Sequence, residues 1–171
     1  IGPMIEQFSI PVHEVKLSTN PFRILRLLHL YFLLRKIKPD IVQTWMYHAD
    51  FWGGIIARMA GCRKVIWNIR NTDFLTDAFV TPWTWLTLKL SALFSRFLPS
   101  AIVVVANEAK SNHARLGYAE DKMVVIPNGF DADIFRPDDD VRRSIRKELG
   151  LSDDRMVIGS VGSYGFYKNH K

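Results

Sequence analysis

Apolar and polar positions along this chain form short apolar runs that alternate with longer helical patterns. The apolar runs have the length of buried strands and lie at residues 41–45, 64–69, 101–105 and 123–126. The helical patterns lie at residues 22–36, 49–60, 82–98 and 108–116. Because strands and helices alternate through short joints, the pattern predicts an α/β fold, a doubly wound parallel sheet with helices on both faces.

Local signals support several of these boundaries. Asn20 followed by Pro21 is typical of a helix start, because Asn caps free N–H groups and Pro fits the first position. Gly61 and Gly117 stand where two helices are predicted to end. A shorter alternation at residues 12–17 indicates a further strand.

Ligands of such sheets bind beyond the carboxyl ends of the strands. This rule selects three loops for a binding site, namely residues 46–50, residues 70–73, and Asn107 with Glu108. Each loop directly follows one of the predicted strands.

The first loop carries His48 between Tyr47 and Asp50. An imidazole there can contact a sugar hydroxyl or move a proton near neutral pH. The alternative is that His48 caps the helix that begins near residue 49.

The second loop carries Arg70 and Asn71. A guanidinium grips a phosphate or carboxylate with two parallel hydrogen bonds, and an amide can hold hydroxyl groups. The alternative is that Arg70 pairs with Asp73 or Asp77 of the same loop.

Residues 125–137, with the sequence VIPNGFDADIFRP, predict a crossover from one sheet to another unit. Pro127 ends the strand because it has no N–H for a ladder, and Asn128-Gly129 favours a tight turn. Asp131 can accept hydrogen bonds from nearby N–H groups and start a helical turn. An ordinary strand–turn–helix joint is the alternative.

This crossover, with the helical residues 142–151 and the apolar residues 157–162 after it, resembles glycosyltransferase family 4. Residues 38–50 and 101–109 resemble the same family, in the family's order. The resemblance implies one Rossmann-like half of a GT-B fold, truncated at both ends. It places a partial acceptor domain at residues 1–126, the crossover at 127–137 and the start of the donor domain at 138–171.

The family resemblance also implies a function. It implies transfer of a sugar, with retention of configuration, from a nucleotide sugar to a lipid-linked glycan in envelope polysaccharide, lipopolysaccharide or glycoconjugate assembly. His48 and Arg70 are then the candidate catalytic residues, and Tyr47, Asp50 and Asn71 the candidate acceptor-binding residues. Many family members carry His or Asp where Arg70 stands.

The glycine-rich stretch near the end of the chain is the candidate donor site, because glycines let backbone N–H groups approach a phosphate. It contains Gly162, Ser163 and Lys168. Family members usually have Arg in the position of Ser163, so Lys168 is the expected charge at the donor diphosphate. The alternative is a turn with a solvated lysine.

Length and composition indicate a globular protein. The chain of 171 residues is long enough for one well-packed domain, and 48% hydrophobic with 23% charged residues is a globular balance. Cys62 is the single cysteine and excludes an intramolecular disulfide, and five scattered histidines predict no bound zinc. No protein-bound cofactor is expected. The net charge of +6 suits anionic partners, but no nucleic-acid motif accompanies it.

Two basic helices, at residues 22–36 and 82–98, combine Lys and Arg with aromatic residues, a pattern typical of membrane surfaces. The alternative is that each is buried against the sheet. No signal peptide and no apolar span of about 20 residues is visible. We expect a fragment of a cytoplasmic protein, peripheral on the inner face of the membrane and inactive in isolation.

Two other functions remain open at this point. A nucleotide-sugar epimerase of the same fold would release a free sugar product and need no membrane face. A non-catalytic partner subunit would bind a glycan or lipid without transferring a sugar.

Overall fold

The computed structural model describes residues 5–15, 23–72, 81–159 and 161–162. The chain divides into two compact units, Ile1–Pro127 and Asn128–Lys171. The division falls inside the segment that the sequence predicts as a crossover. The assignment of the two units to an acceptor and a donor domain stays a prediction.

Four parallel strands in sequential order form the sheet of the first unit. They are β1 (Ile41–Trp45), β2 (Lys64–Ile69), β3 (Ala101–Val104) and β4 (Met123–Val125). In the register Thr44 lies beside Trp67, Trp67 beside Ile102, and Ile102 beside Met123. The predicted parallel α/β fold is confirmed, with β3 and β4 each one residue shorter than expected.

Five α-helices accompany the strands in the described residues. They are α1 (Arg23–Ile37), α2 (Gly54–Met59), α3 (Pro82–Phe94), α4 (Asn107–Leu116) and α5 (Asp139–Glu148). The single helix predicted at residues 49–60 is instead a π-helical turn, Ala49–Gly53, that leads into α2. Gly54 lies so close to Trp67 that an added Cβ would stand 2.9 Å from the indole nitrogen.

The ends of α3 are set by hydroxyl groups. Thr81 caps its start, accepting a 3.2 Å hydrogen bond from the backbone N–H of Thr84. Ser95 ends it four residues earlier than predicted, because its hydroxyl donates to the Ala92 carbonyl and accepts from the Ala119 N–H.

The core lies on one face of the sheet. That face carries the buried side chains Val65, Trp67, Ile69, Ile102 and Val104, which pack against Ala57, Leu88, Ala92 and Ala109 of the helices. On the opposite face Ile41, Trp45 and Val124 are about half exposed. Within the described residues the predicted second layer of helices is therefore incomplete.

The strand predicted at residues 12–17 and the apolar segment at residues 157–162 form no strand where the structure describes them. Residues 12–15 are outside any strand, and so are residues 157–159 of the second unit. A strand needs a neighbour for its hydrogen bonds, and the described residues of neither segment lie in a ladder. The predicted helix start at Asn20 and Pro21 lies outside the described residues.

The second unit contains the turn and caps that its acidic residues predict. Asp131 accepts hydrogen bonds from the N–H groups of Asp133 and Ile134. Asp138 caps α5 by accepting from the N–H groups of Asp140 and Val141. These carboxylates act on local backbone, as the sequence indicates.

Candidate functional site

A sharp turn follows β1 at the carboxyl edge of the sheet. Met46 has a φ of +71°, a left-handed conformation that is uncommon for a non-glycine residue. Its N–H still bonds the carbonyl of Asn68 at 3.1 Å, and its carbonyl accepts from the N–H of Asp50 at 2.8 Å. Such backbone strain is found preferentially at functional sites. The turn sends Tyr47 into the core and leaves His48 exposed.

Asp50 lies buried behind this turn, with 1% of its surface exposed. Its Oδ1 accepts a 2.6 Å hydrogen bond from the Thr44 hydroxyl and a 3.4 Å bond from the Asn68 N–H. Its Oδ2 has no hydrogen-bond partner among the described residues. Burial raises the pKa of Asp50 to about 7, an effect that the two hydrogen bonds offset only in part.

Tyr47 is buried, and its hydroxyl lies 3.0 Å from Nε2 of His113 on α4. Nδ1 of His113 is 2.7 Å from the Ala109 carbonyl, which can only accept, so this nitrogen carries the proton. The Tyr47 hydroxyl therefore donates to Nε2. Burial lowers the pKa of His113, which keeps the imidazole neutral. The hydrogen bond between Tyr47 and His113 thus connects the turn after β1 to α4.

Arg70 follows β2 and lies over the ring of Trp45, the last residue of β1. The guanidinium carbon is 4.8 Å from the ring centroid, the distance of a cation–π contact. Nη1 of Arg70 is buried and has no hydrogen-bond partner among the described residues. Asp73 and Asp77, the alternative partners, lie outside the described residues. Arg70 is thus positioned by an aromatic ring.

His48 and Asn71 complete this edge. His48 precedes the π-helical turn, but its side chain makes no capping hydrogen bond, so the capping alternative is not supported. Asn71 is half-buried beside Arg70. Since neighbouring strands are about 4.8 Å apart, the loops after β1 and β2 share one edge of the sheet.

Asn107 and Glu108, which form the third loop predicted for a binding site, are exposed at the start of α4. Gly162 is exposed in the second unit, whereas Ser163 and Lys168 lie outside the described residues. The donor-binding roles of these three residues stay predictions.

Two residues of α4 that support the loops after β1 and β2, His113 and Asn112, were not predicted from the sequence. His113 stands four residues after Ala109 on the buried side of α4, a spacing that indicates a core position but no specific partner. Asn112 donates a 2.9 Å hydrogen bond to the carbonyl of Thr72, which attaches the loop after β2 to the same helix. Contacts over such sequence separations leave no periodic signal.

The arrangement suits an oxygen-rich, anionic ligand. A positioned guanidinium supplies charge and donors, an exposed imidazole can accept or donate a proton, and a buried carboxyl titrates near neutral pH. No group of His, Cys, Asp or Glu side chains in the described ranges is arranged to hold a metal ion.

Comparison with known sequences identifies relatives of the chain. The sequence model of Glycosyltransferase Family 4 matches residues 6–134. The UDP-Gal:alpha-D-GlcNAc-diphosphoundecaprenol alpha-1,3-galactosyltransferase of Escherichia coli is 31% identical over 144 residues, which are 84% of this chain and 37% of that protein. EpsF of Bacillus subtilis strain 168, named as a glycosyltransferase, is 26% identical over 130 residues, which are 72% of this chain and 33% of EpsF. The chain therefore spans about a third of each relative.

Solved structures of HepE from Anabaena share the fold. The crystal structure with UDP superimposes with a TM-score of 0.67 at 17% identity, over 86% of this chain and 39% of HepE. The crystal structures with UDP and glucose and with UDP-glucose each give a TM-score of 0.64 at 16% identity, again over 86% of this chain. At this level of identity the likeness shows the fold alone.

Proposed function

Since the chain belongs to glycosyltransferase family 4, we propose that the intact protein is a retaining hexosyltransferase. It moves a sugar from a nucleotide sugar to a lipid-linked glycan in envelope polysaccharide, lipopolysaccharide or glycoconjugate assembly. The E. coli relative is named for a diphosphoundecaprenol-linked acceptor, which supports the acceptor class. The HepE structures contain UDP or UDP-glucose, which supports the donor class.

The observation that carries this proposal is the placement of Arg70 over Trp45 with Nη1 unpartnered among the described residues. A guanidinium held at the edge of a parallel sheet is suited to a phosphate, because it presents its donors in a fixed fork. A lipid-linked sugar carries a phosphate or diphosphate next to the sugar that is extended. Arg70 binds that group in the proposed complex.

His48 and Asn71 contact the acceptor sugar in the proposed complex. The exposed imidazole of His48 bonds the reacting hydroxyl and can take up its proton, and Asn71 orients a neighbouring hydroxyl. Tyr47 and Asp50 are buried, so they contribute to acceptor binding by fixing the turn that presents His48. Gly162, Ser163 and Lys168 hold the diphosphate of the donor.

A lipid-linked acceptor places the enzyme at a membrane surface. No helix among the described residues is long and apolar enough to cross a bilayer. Because a lipid-linked acceptor lies in the membrane, we propose peripheral association with the inner face of the cell membrane, where nucleotide sugars are available.

The test is an assay of the intact protein with a panel of nucleotide sugars and a short-chain, diphosphate-linked acceptor sugar. We expect a lengthened, lipid-linked glycan whose new bond keeps the anomeric configuration of the donor, as shown by nuclear magnetic resonance. A free sugar formed without acceptor would identify an epimerase instead. Acceptor binding without turnover of any donor would identify a non-catalytic subunit.

A further inference from the structure

Trp45 is a large aromatic residue that lies outside the core. It ends β1, and 51% of its surface is exposed. Trp67 on β2 is buried on the core face of the sheet, with Thr44 as its register partner. Because side chains alternate along a strand, Trp45 lies on the opposite face. Its ring therefore stands at the carboxyl edge of the sheet without contributing to the buried core.

Arg70 lies on the same face of the sheet as Trp45. In the register Trp45 is beside Asn68 of β2, and Arg70 comes two residues after Asn68, which returns its side chain to the same side. The guanidinium carbon is 4.8 Å from the centroid of the Trp45 ring. Trp45 is half exposed even though the guanidinium lies over its ring, so part of the indole beside Arg70 is open to a ligand.

An exposed indole next to a guanidinium matches two neighbouring parts of a sugar phosphate. Several C–H groups of a pyranose lie on one face of the sugar, and their partial positive charge is attracted to the negative face of an aromatic ring. This field is strongest for Trp among the aromatic side chains. The guanidinium binds the phosphate that is attached to the same sugar. A phosphate without a sugar would use only one of the two groups.

We propose that the indole of Trp45 stacks on the acceptor sugar whose phosphate is bound by Arg70. The inference rests on the proposed function, which places the acceptor phosphate at Arg70. Trp45 is then a specificity-determining residue, because it distinguishes a diphosphate that carries a sugar from one that does not. The C–H face of the sugar contacts the indole, and its hydroxyl groups stay available to His48 and Asn71.

Two kinds of probe separate stacking on a sugar from an indirect effect through Arg70. The sugar-free probe is a short-chain alkyl diphosphate. The sugar-bearing probe is the same compound linked to glucose, galactose or N-acetylglucosamine, whichever binds the parent most tightly. Calorimetric titration of the intact protein gives the Kd of each. If Trp45 only positions Arg70, its loss weakens the binding of both probes by the same factor.

Trp45→Leu removes the aromatic ring and keeps an apolar side chain. We expect this variant to bind the sugar-bearing probe about tenfold more weakly than the parent, and the sugar-free probe less than about threefold more weakly. Trp45→Phe keeps an aromatic face and should retain most of the affinity for the sugar-bearing probe. Circular dichroism and thermal melting verify that both variants are folded.

Trp85 on α3 supplies the matched control. It is 37% exposed, and Nζ of Lys89 lies 5.0 Å from the centroid of its ring, so it also carries a cation over an exposed indole. Trp85→Leu should leave the Kd of both probes within about twofold of the parent values. The control thus tests whether the loss of any such pair changes binding.

Nuclear magnetic resonance of the parent gives a measurement that depends on no variant. Saturation of the aromatic protons of the protein should pass to the C–H protons of the bound sugar more strongly than to the alkyl chain of the probe. Saturation that passes mainly to the alkyl chain would place the lipid, not the sugar, on the aromatic surface and would overturn the inference.

Equal weakening of both probes by Trp45→Leu would also overturn it, and so would a parent that binds no sugar-bearing probe. Sugar transfer from nucleotide sugars is measured in parallel. Sugar-dependent binding through Trp45 in a protein that transfers no sugar is a failure of the proposed function alone. Transfer by the parent, with both probes weakened equally by Trp45→Leu, is a failure of the stacking inference alone.

Discussion

The Thr44 hydroxyl donates a 2.6 Å hydrogen bond to Oδ1 of Asp50 inside the first unit. The same carboxyl oxygen accepts from the N–H of Asn68 on β2. One carboxyl group thus joins β1, β2 and the turn that carries His48. A change in the protonation of Asp50 therefore affects the turn that carries His48.

The first prediction is a pH dependence of stability caused by Asp50. Its pKa is about 7 in the folded protein against an ordinary value of 3.8, so between these values only the folded state holds the proton. Unfolding then releases a proton, and the free energy of unfolding falls by about 1.4 kcal/mol per pH unit as pH rises. Asp50→Asn abolishes this contribution because an amide does not titrate.

Urea denaturation of the parent and of Asp50→Asn between about pH 5 and about pH 8 measures this effect. We expect the variant to gain stability relative to the parent as pH rises to about 7, with no further gain above it. The exposed Asp133 supplies the control variant, Asp133→Asn. A stability difference between Asp50→Asn and the parent that is flat across this range would contradict the prediction.

The second prediction concerns Thr44, whose hydroxyl donates the hydrogen bond to Oδ1 of Asp50. Thr44→Val keeps the shape of the side chain but leaves Oδ1 of Asp50 without its short hydrogen bond. We expect a loss of about 1–3 kcal/mol in the free energy of unfolding, the usual cost of an unsatisfied buried polar group. Thr44→Ser keeps the hydroxyl and should cost less. A smaller loss in Thr44→Val than in Thr44→Ser would show that the methyl contact, which only Thr44→Ser removes, matters more than the hydrogen bond.

The strands of this fold were predictable from sequence, and the turns between them were less so. β1 and β2 have the predicted bounds because each is a run of strand length that is rich in β-branched and aromatic residues. The π-helical turn at Ala49–Gly53 was missed, because its composition is that of an α-helix and the burial of Asp50 comes from tertiary packing. The stop of α3 at Ser95 depends on Ala119, far along the chain.

The candidate site was predictable in position but not in contacts. The rule for carboxyl ends of strands selects the loops of His48 and Arg70 without a structure. It gives no information on which side chains of a loop point inward. Tyr47 and His48 are neighbours in the turn after β1. Only the structure shows that Tyr47 is the buried one and that its hydroxyl bonds His113. The cation–π partner of Arg70 likewise depends on strand register.

The third prediction separates the two roles of Tyr47. Tyr47→Phe removes the donor to Nε2 of His113, so a buried imidazole nitrogen is left without that bond. We expect the free energy of unfolding to fall by about 1–3 kcal/mol while the KM for the acceptor is nearly unchanged. Denaturation and steady-state kinetics of the intact enzyme give both values. An acceptor KM that rises at constant stability would instead place the hydroxyl in the acceptor site.

The fourth prediction concerns Arg70. Arg70→Ala removes a charged donor from the acceptor phosphate, so kcat/KM for a diphosphate-linked acceptor should fall by about one to two decades. The melting temperature should change little. Arg70→Lys keeps the charge but loses the planar fork over Trp45, and an intermediate loss is expected. If activity survives in Arg70→Ala while the melting temperature falls, Arg70 is a structural residue.

The last prediction concerns the donor site in the second unit. With Ser163 in place of the family's usual Arg, Lys168 is the charge that we expect at the donor diphosphate, and a charged hydrogen bond is worth about 1.5–3 kcal/mol. Lys168→Ala should therefore raise the Kd for the nucleoside diphosphate by about one to two decades in calorimetric titration of the intact protein. Lys147→Ala, the same change on exposed α5, is the matched control and should leave the Kd unchanged. A Kd that is the same in the Lys168→Ala variant and the parent would show that this lysine is only a solvated surface residue.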